Sequence, residues 1–205
     1  MSEYDLTTSD GIKAWLQTLP EDEWRGAVIV LFSRTAMSLL PDAIRPLPKT
    51  ERGRKTWRSV IMPWQRSLLV LQCAHFNESF DTRTSASTAL SQVVATSLAS
   101  GVLVPKRGRL FVELIRTALF VASQKSHHVV QWTDVYVTIR ECFEVLGSSS
   151  ALVDEMSWVE QVGLDQAVRA PLQPRAVKAE TDQRWDSLRA SFDADKVDWS
   201  FWAYW

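Results

Sequence analysis

His75, His127, His128, Cys73 and Cys142 are the three histidines and two cysteines of the sequence, the residue types that suit a soft metal or a base–nucleophile pair. Their spacing assembles neither. His127 and His128 are adjacent, so on a helix they diverge by about 100° and do not readily share one ion. Cys73 and His75 stand two apart, a poor helical chelate. Both cysteines read as reduced, core-packed free thiols. There is no Gly-x-Ser-x-Gly elbow, no His-Glu-x-x-His, no Gly-x-x-x-x-Gly-Lys-Ser/Thr and no Gly-x-Gly-x-x-Gly. Carboxylate neighbours such as Asp154 with Glu155, or Asp193 with Asp195, are expected on polar faces or helix ends. General acid–base work needs burial or a perturbing partner, and the sequence points to none. The expectation is a protein that is not an enzyme, with no catalytic residues, no metal and no cofactor.

Two other groupings could make contacts. From Arg45 to Arg66 there are seven Lys or Arg against one acid, Glu51. Arg45, Lys49, Arg52, Arg54, Lys55 and Arg58 can neutralise phosphates, and Trp57 can stack on an unpaired base. The plainer alternative is a solvated linker with an anchoring Trp, and an acidic protein surface suits the same cations. The second grouping is Trp199, Phe201, Trp202, Tyr204 and Trp205, five aromatics in seven residues. Trp199 and Trp202, then Trp202 and Trp205, share a face at i, i+3, and Phe201 and Tyr204 lie on another. Such a segment either docks into the core or binds a partner; the expectation assigns it to partner binding.

The elements that must carry these residues read as helices. Thr8 or Ser9 can cap a short helix over 10–19 with Ile12, Trp15, Leu16 and Leu19 on one face. Pro20 at a first helical position, followed by Glu21, Asp22 and Glu23, opens a second helix. It should end at Leu40, where Pro41 stops it, and its centre is apolar on most sides. Residues 41–55 form a basic, proline-containing linker. A helix over 56–80 should be kinked or divided at Pro63. Ser85 or Ser87 opens a small-residue helix through Ser100, closed by Gly101. Helices over 110–126, 131–146 and 151–162 follow, with Gly163 ending the last. Val102 to Val104 and Val129 to Val130 allow short extended pieces but no sheet. Residues 163–178 form a second linker around Pro171 and Pro174, and 180–194 returns to helical spacing. Trp15, Trp24, Trp57, Trp64, Trp132, Trp158 and Trp185 read as core or inter-helix anchors.

Length and composition agree. The 205 residues hold 46% hydrophobic and 23% charged side chains, which excludes wholesale disorder. Lys plus Arg is 23 and Asp plus Glu is 24, so neither a polycation nor a polyanion describes the chain. Charge is nonetheless segregated, with six acids in the first 23 residues and twelve acids against six bases from Glu141 onward. The acidic, polar start lacks a secretory signal, and no apolar run reaches the roughly 18 residues of a membrane span. A cytoplasmic location with no membrane contact is the expectation.

The terminal Asp198-Trp199-Ser200-Phe201-Trp202-Ala203-Tyr204-Trp205 resembles the Asp-Trp-x-Phe/Val-Trp-x-x-Trp signature of a set of uncharacterised bacterial all-helical proteins. The helix around 25–40, the Pro63-containing helix and the Ala170-Pro171-Leu172-Gln173-Pro174 linker before Trp185 resemble that set too. The resemblance implies an all-α bacterial protein and carries no functional residues with it. In that set the chain continues past the signature with charged residues. This one ends inside it, which implies a trimmed chain or an aromatic tail.

The sequence therefore predicts a single all-α domain over 1–205, an array of about seven to nine helices without a sizeable sheet. The expected function is a non-enzymatic interaction or adaptor module that binds a protein partner or self-associates through 199–205. Nucleic-acid binding through 45–58 is the alternative, and a role in a bacterial conflict or phage-defence system is the third.

Overall fold

The computed structural model describes residues 4–44, 49–76, 82–97, 104–123, 129–146, 151–163, 166–167, 186–187 and 189–190. Among them the fold is all-α: seven helices and no strand. They are α1 (Ser9–Thr18), α2 (Glu21–Ala43), α3 (Glu51–Phe76), α4 (Thr82–Ser97), α5 (Arg107–Ser123), α6 (Val129–Leu146) and α7 (Ala151–Val162).

The local signals act as their chemistry requires. Thr8 is the N-cap of α1, its hydroxyl accepting the Gly11 N–H at 3.1 Å. Gly163 ends α7 with φ at 83°, a left-handed conformation that costs glycine little.

The prolines behave differently from expectation. α2 passes through Pro41 to Ala43, and α3 passes through Pro63 as one unbroken helix. Each proline removes one backbone hydrogen bond, and packing on both sides of it outweighs that loss. Beyond Pro41 the connector before α5 ties down the end of α2. Val104 N–H donates to the Ala43 carbonyl at 2.9 Å, and Arg107 pairs with Asp42 at 2.7 Å. The expected linker over 41–55 thus contracts from both ends, since α2 reaches Ala43 and α3 begins at Glu51. Val129 and Val130 are helical, not extended.

α2 and α5 form the central pair. Along α2, Trp24, Val28, Leu31, Phe32, Leu39 and Leu40 are buried; along α5, Leu110, Phe111, Leu114, Ile115, Ala118 and Leu119 are. Burying one such large side chain contributes about 1.5–3 kcal/mol. The α3–α4 hairpin leans on α5. Ala86, Ala89 and Val93 are buried at steps of three and four, so the small face of α4 admits close approach. α6 packs on α5 and α1, and α7 lies against α2. An aromatic run ties α2 to α6, with the Trp24 and Trp132 centroids 4.4 Å apart and those of Trp132 and Tyr136 5.4 Å apart. Lys13 of α1 closes this run, its Nζ lying 4.4 Å from the Tyr136 ring centroid.

By length and composition the stretch Glu23–Ala43 of α2 could cross a membrane. An uninterrupted apolar run of that length is absent from the sequence, because Arg34 breaks it. Here most of that stretch is buried against the chain's own helices.

Candidate functional site

Two arrangements of charged groups stand out, one inside and one on the surface. The inner one joins α2 to α7. On α7, Leu152, Met156 and Val159 form the buried stripe, and Glu155 lies in the same stripe. On α2, Arg34 sits in a run of buried residues from Leu31 to Met37. Arg34 Nε donates to Glu155 Oε2, and the Arg34 guanidinium lies 4.0 Å from the Trp158 ring centroid. This corrects the expectation that Asp154 and Glu155 both occupy a polar face: Asp154 is exposed and Glu155 is buried. The spacing contained the signal. Glu155 falls at i+3 from Leu152 and i−4 from Val159, so an acid interrupts an apolar stripe, as Arg34 does on α2. Desolvated charges need a partner, and each supplies the other's. The pair accounts for its own burial as a structural tie between two helices.

Burial pushes the Cys142 thiol up to about 12, with the neighbouring Glu141 carboxylate adding to the effect, so the reactive thiolate is suppressed. Among the described residues no group of three or more His, Cys, Asp or Glu could hold a metal ion. His127, His128, Asp193 and Asp195 lie outside the described residues, as do the side chains of Cys73 and His75.

The surface arrangement is the outer face of α3. Arg52, Lys55, Ser59, Met62 and Arg66 follow at steps of three and four and are all exposed. Arg58 is exposed beside them, and Lys49 just before the helix. Met62, at 51% exposure, is the most exposed large apolar side chain among the described residues. The opposite face holds Trp57, Trp64 and Ser67, all buried. Trp57 is 2% exposed. That corrects its reading as a ring for stacking on a base: it sits seven residues from Trp64, on the core side of a two-faced helix. Arg54 is half-buried, and Arg45 lies outside the described residues. The structure therefore brings Lys49, Arg52, Lys55 and Arg58 to the surface, adds Arg66 and Met62, and removes Trp57.

None of Lys49, Arg52, Lys55, Arg58 and Arg66 makes an ion pair with a described residue. α3 and α4 together carry six Lys or Arg, with Arg83 on α4, against Glu51 alone. On the helices packed against α3, Glu113 of α5 pairs with Arg116 at 2.7 Å and Asp42 of α2 with Arg107 at 2.7 Å. Trp199, Phe201, Trp202, Tyr204 and Trp205, expected to bind a partner, lie outside the described residues.

No family model, no curated protein and no solved structure matches the chain.

Proposed function

We propose that this chain is a non-enzymatic helical module that works by engaging a protein partner. The carrying observation is the one-sided charge of α3, where Arg52, Lys55, Arg58 and Arg66 are exposed and make no ion pair among the described residues. In a chain whose formal net charge is -1, a cationic face with no ion pair among the described residues suits a partner of opposite sign, whose approach it would steer. The buried charged pair, by contrast, is satisfied internally. Nucleic-acid binding would use the same cations, but with Trp57 buried it lacks the ring that was to stack on bases.

The test is site-specific photo-crosslinking in cells that produce the protein, with the reactive group at Lys55 on α3 or at Val137 on α6, an exposed apolar side chain away from the cationic row. Cross-linked species are then rebuilt from purified components. The expected result is a protein cross-link at one of the two positions that reappears with the purified pair. Cross-links to nucleic acid alone would overturn the proposal. So would turnover of a substrate that one polar substitution abolishes.

A further inference from the structure

We infer that the outer face of α3 docks an acidic amphipathic helix of a protein partner, with partner carboxylates on Arg52, Lys55 and Arg66 and an apolar partner residue on Met62. This rests on the reading of the chain as an interaction module and names the chemistry of what it engages.

The argument begins with spacing. From Arg52 to Arg66 the stripe is about 21 Å long at 1.5 Å per residue. A partner helix of about 14 residues covers that length, and its acids at steps of three and four fall in register with the cations. Along the helix Met62 stands between Ser59 and Arg66, and around it between Lys55 and Arg58, all exposed. An apolar centre within a polar rim is the anatomy of a protein–protein contact. Methionine also adapts its shape to varied apolar partners. Glu51, exposed at the head of α3, sets where the partner's acidic run must stop.

A phosphate backbone fits the same face less well. Its contacts draw on hydroxyl donors as well as cations. On α3 itself Thr56 and Ser59 donate inward, to carbonyls of their own helix, while Thr50 at its head accepts from the Gly53 N–H at 3.2 Å. Thr56 donates to the Arg52 carbonyl at 3.1 Å and Ser59 to the Thr56 carbonyl at 2.7 Å. An exposed Met62 gains nothing from a phosphate, and Trp57 cannot reach a base from the core.

The experiment measures binding of a fluorescent helical peptide of about 14 residues to the full chain. The peptide has Glu at steps of three and four around a central Leu. Controls are a peptide of the same composition with its Glu residues spread around the helix, and a single-stranded oligonucleotide of equal charge. The patterned peptide should bind best, with affinity falling as salt rises. Lys55→Glu with Arg66→Glu should weaken it about tenfold, and Met62→Ser about threefold. Arg109→Glu, at an exposed cation on α5, should leave it unchanged. Thermal melts of each variant check folding, and the Met62 methyl resonance of the unaltered protein should shift on titration.

Equal binding of both peptides, or tighter binding of the oligonucleotide with no effect of Met62→Ser, would make the face a general polyanion site and overturn the inference. Absence of peptide binding would overturn it too. A protein cross-linked reproducibly at position 137 but not at 55 would leave the module standing and remove this docking face.

Discussion

Arg34 of α2 and Glu155 of α7 form a buried ion pair, with Trp158 of α7 covering the guanidinium at 4.0 Å. α7 packs chiefly on α2, so this pair is a principal polar tie holding it there. Two desolvated charges contribute less to net stability than their contact suggests, but removing one strands the other. Glu155→Ala should therefore cost about 3–5 kcal/mol. The double variant Arg34→Met with Glu155→Leu should recover most of that loss, because neither charge then remains in the core. Urea unfolding of the two singles and the double makes the comparison. A Glu155→Ala midpoint equal to the parent's would show that the pair is not desolvated.

Cys142 sets an alkaline limit. Its folded thiol is pushed up to about 12, against an ordinary value of 9.0, mainly by burial. Below the ordinary value the thiol is neutral in both states and its contribution to stability is fully present. As pH rises through the interval, the unfolded chain ionises while the folded one does not, and stability falls by about 1.4 kcal/mol per pH unit. Cys142→Ala should lose this part of the alkaline slope, seen as a difference between the two unfolding free-energy curves. In a Cys73→Ala background at neutral pH, a thiol-reactive dye should label Cys142 only after denaturant is added. Rapid labelling of the native protein would contradict the burial.

The helices were legible because their signals are local. Thr8 capping α1, Gly163 closing α7 and the apolar stripes of α5 and α6 all follow from spacing within about a turn or two. Pro41 and Pro63 misled because proline reports a lost hydrogen bond and is silent about the packing that offsets it. Trp57 was ambiguous for a related reason. An aromatic in a basic stretch reads as surface or core until the 3.6-residue period is drawn from Trp64, which places it opposite Arg52, Lys55 and Arg66. The Arg34–Glu155 pair required knowing that α7 returns to α2 across 121 residues of sequence, a distance that no local rule spans. That Arg52, Lys55, Arg58 and Arg66 make no ion pair with a described residue depended equally on what lies beside them, and α4 brings no acid.

The turn before α1 offers a test of local geometry and of pH together. A Cβ added at Gly11 would lie 1.9 Å from the Asp5 carbonyl oxygen, a backbone atom that must move to admit it. Gly11→Ala should therefore unseat the turn rather than strengthen the helix, despite alanine's better propensity. Asp5 itself accepts from the Thr7 hydroxyl at 2.5 Å and the Thr7 N–H at 3.1 Å. These bonds, the hydroxyl's first, hold its carboxyl below the ordinary 3.8. A lowered folded value means the stabilisation is present above the ordinary value and is lost as pH falls through the folded one. The Thr7 amide resonance should report this as an acid titration with a midpoint under 3.8. Thr7→Val should return the midpoint toward the ordinary value. A normal titration in the parent would show that the turn is not formed.

Trp57 separates the core reading of α3 from the surface one. It is 2% exposed and shares the inner face with Trp64, whose ring meets Phe111 of α5 at 5.1 Å between centroids. Trp57→Ala should cost about 3–5 kcal/mol, as expected for a large aromatic removed from a packed site. Trp57→Phe should cost less, since most of the apolar volume stays. Neither change touches the row formed by Arg52, Lys55 and Arg66. Binding of an anionic partner to whatever fraction remains folded should then keep its affinity and salt dependence. Denaturant unfolding gives the first quantity, and binding measured at saturating folded protein gives the second. A Trp57→Ala variant of parental stability that bound its anionic partner more weakly would place the ring at the surface and reverse the assignment of the two faces of α3.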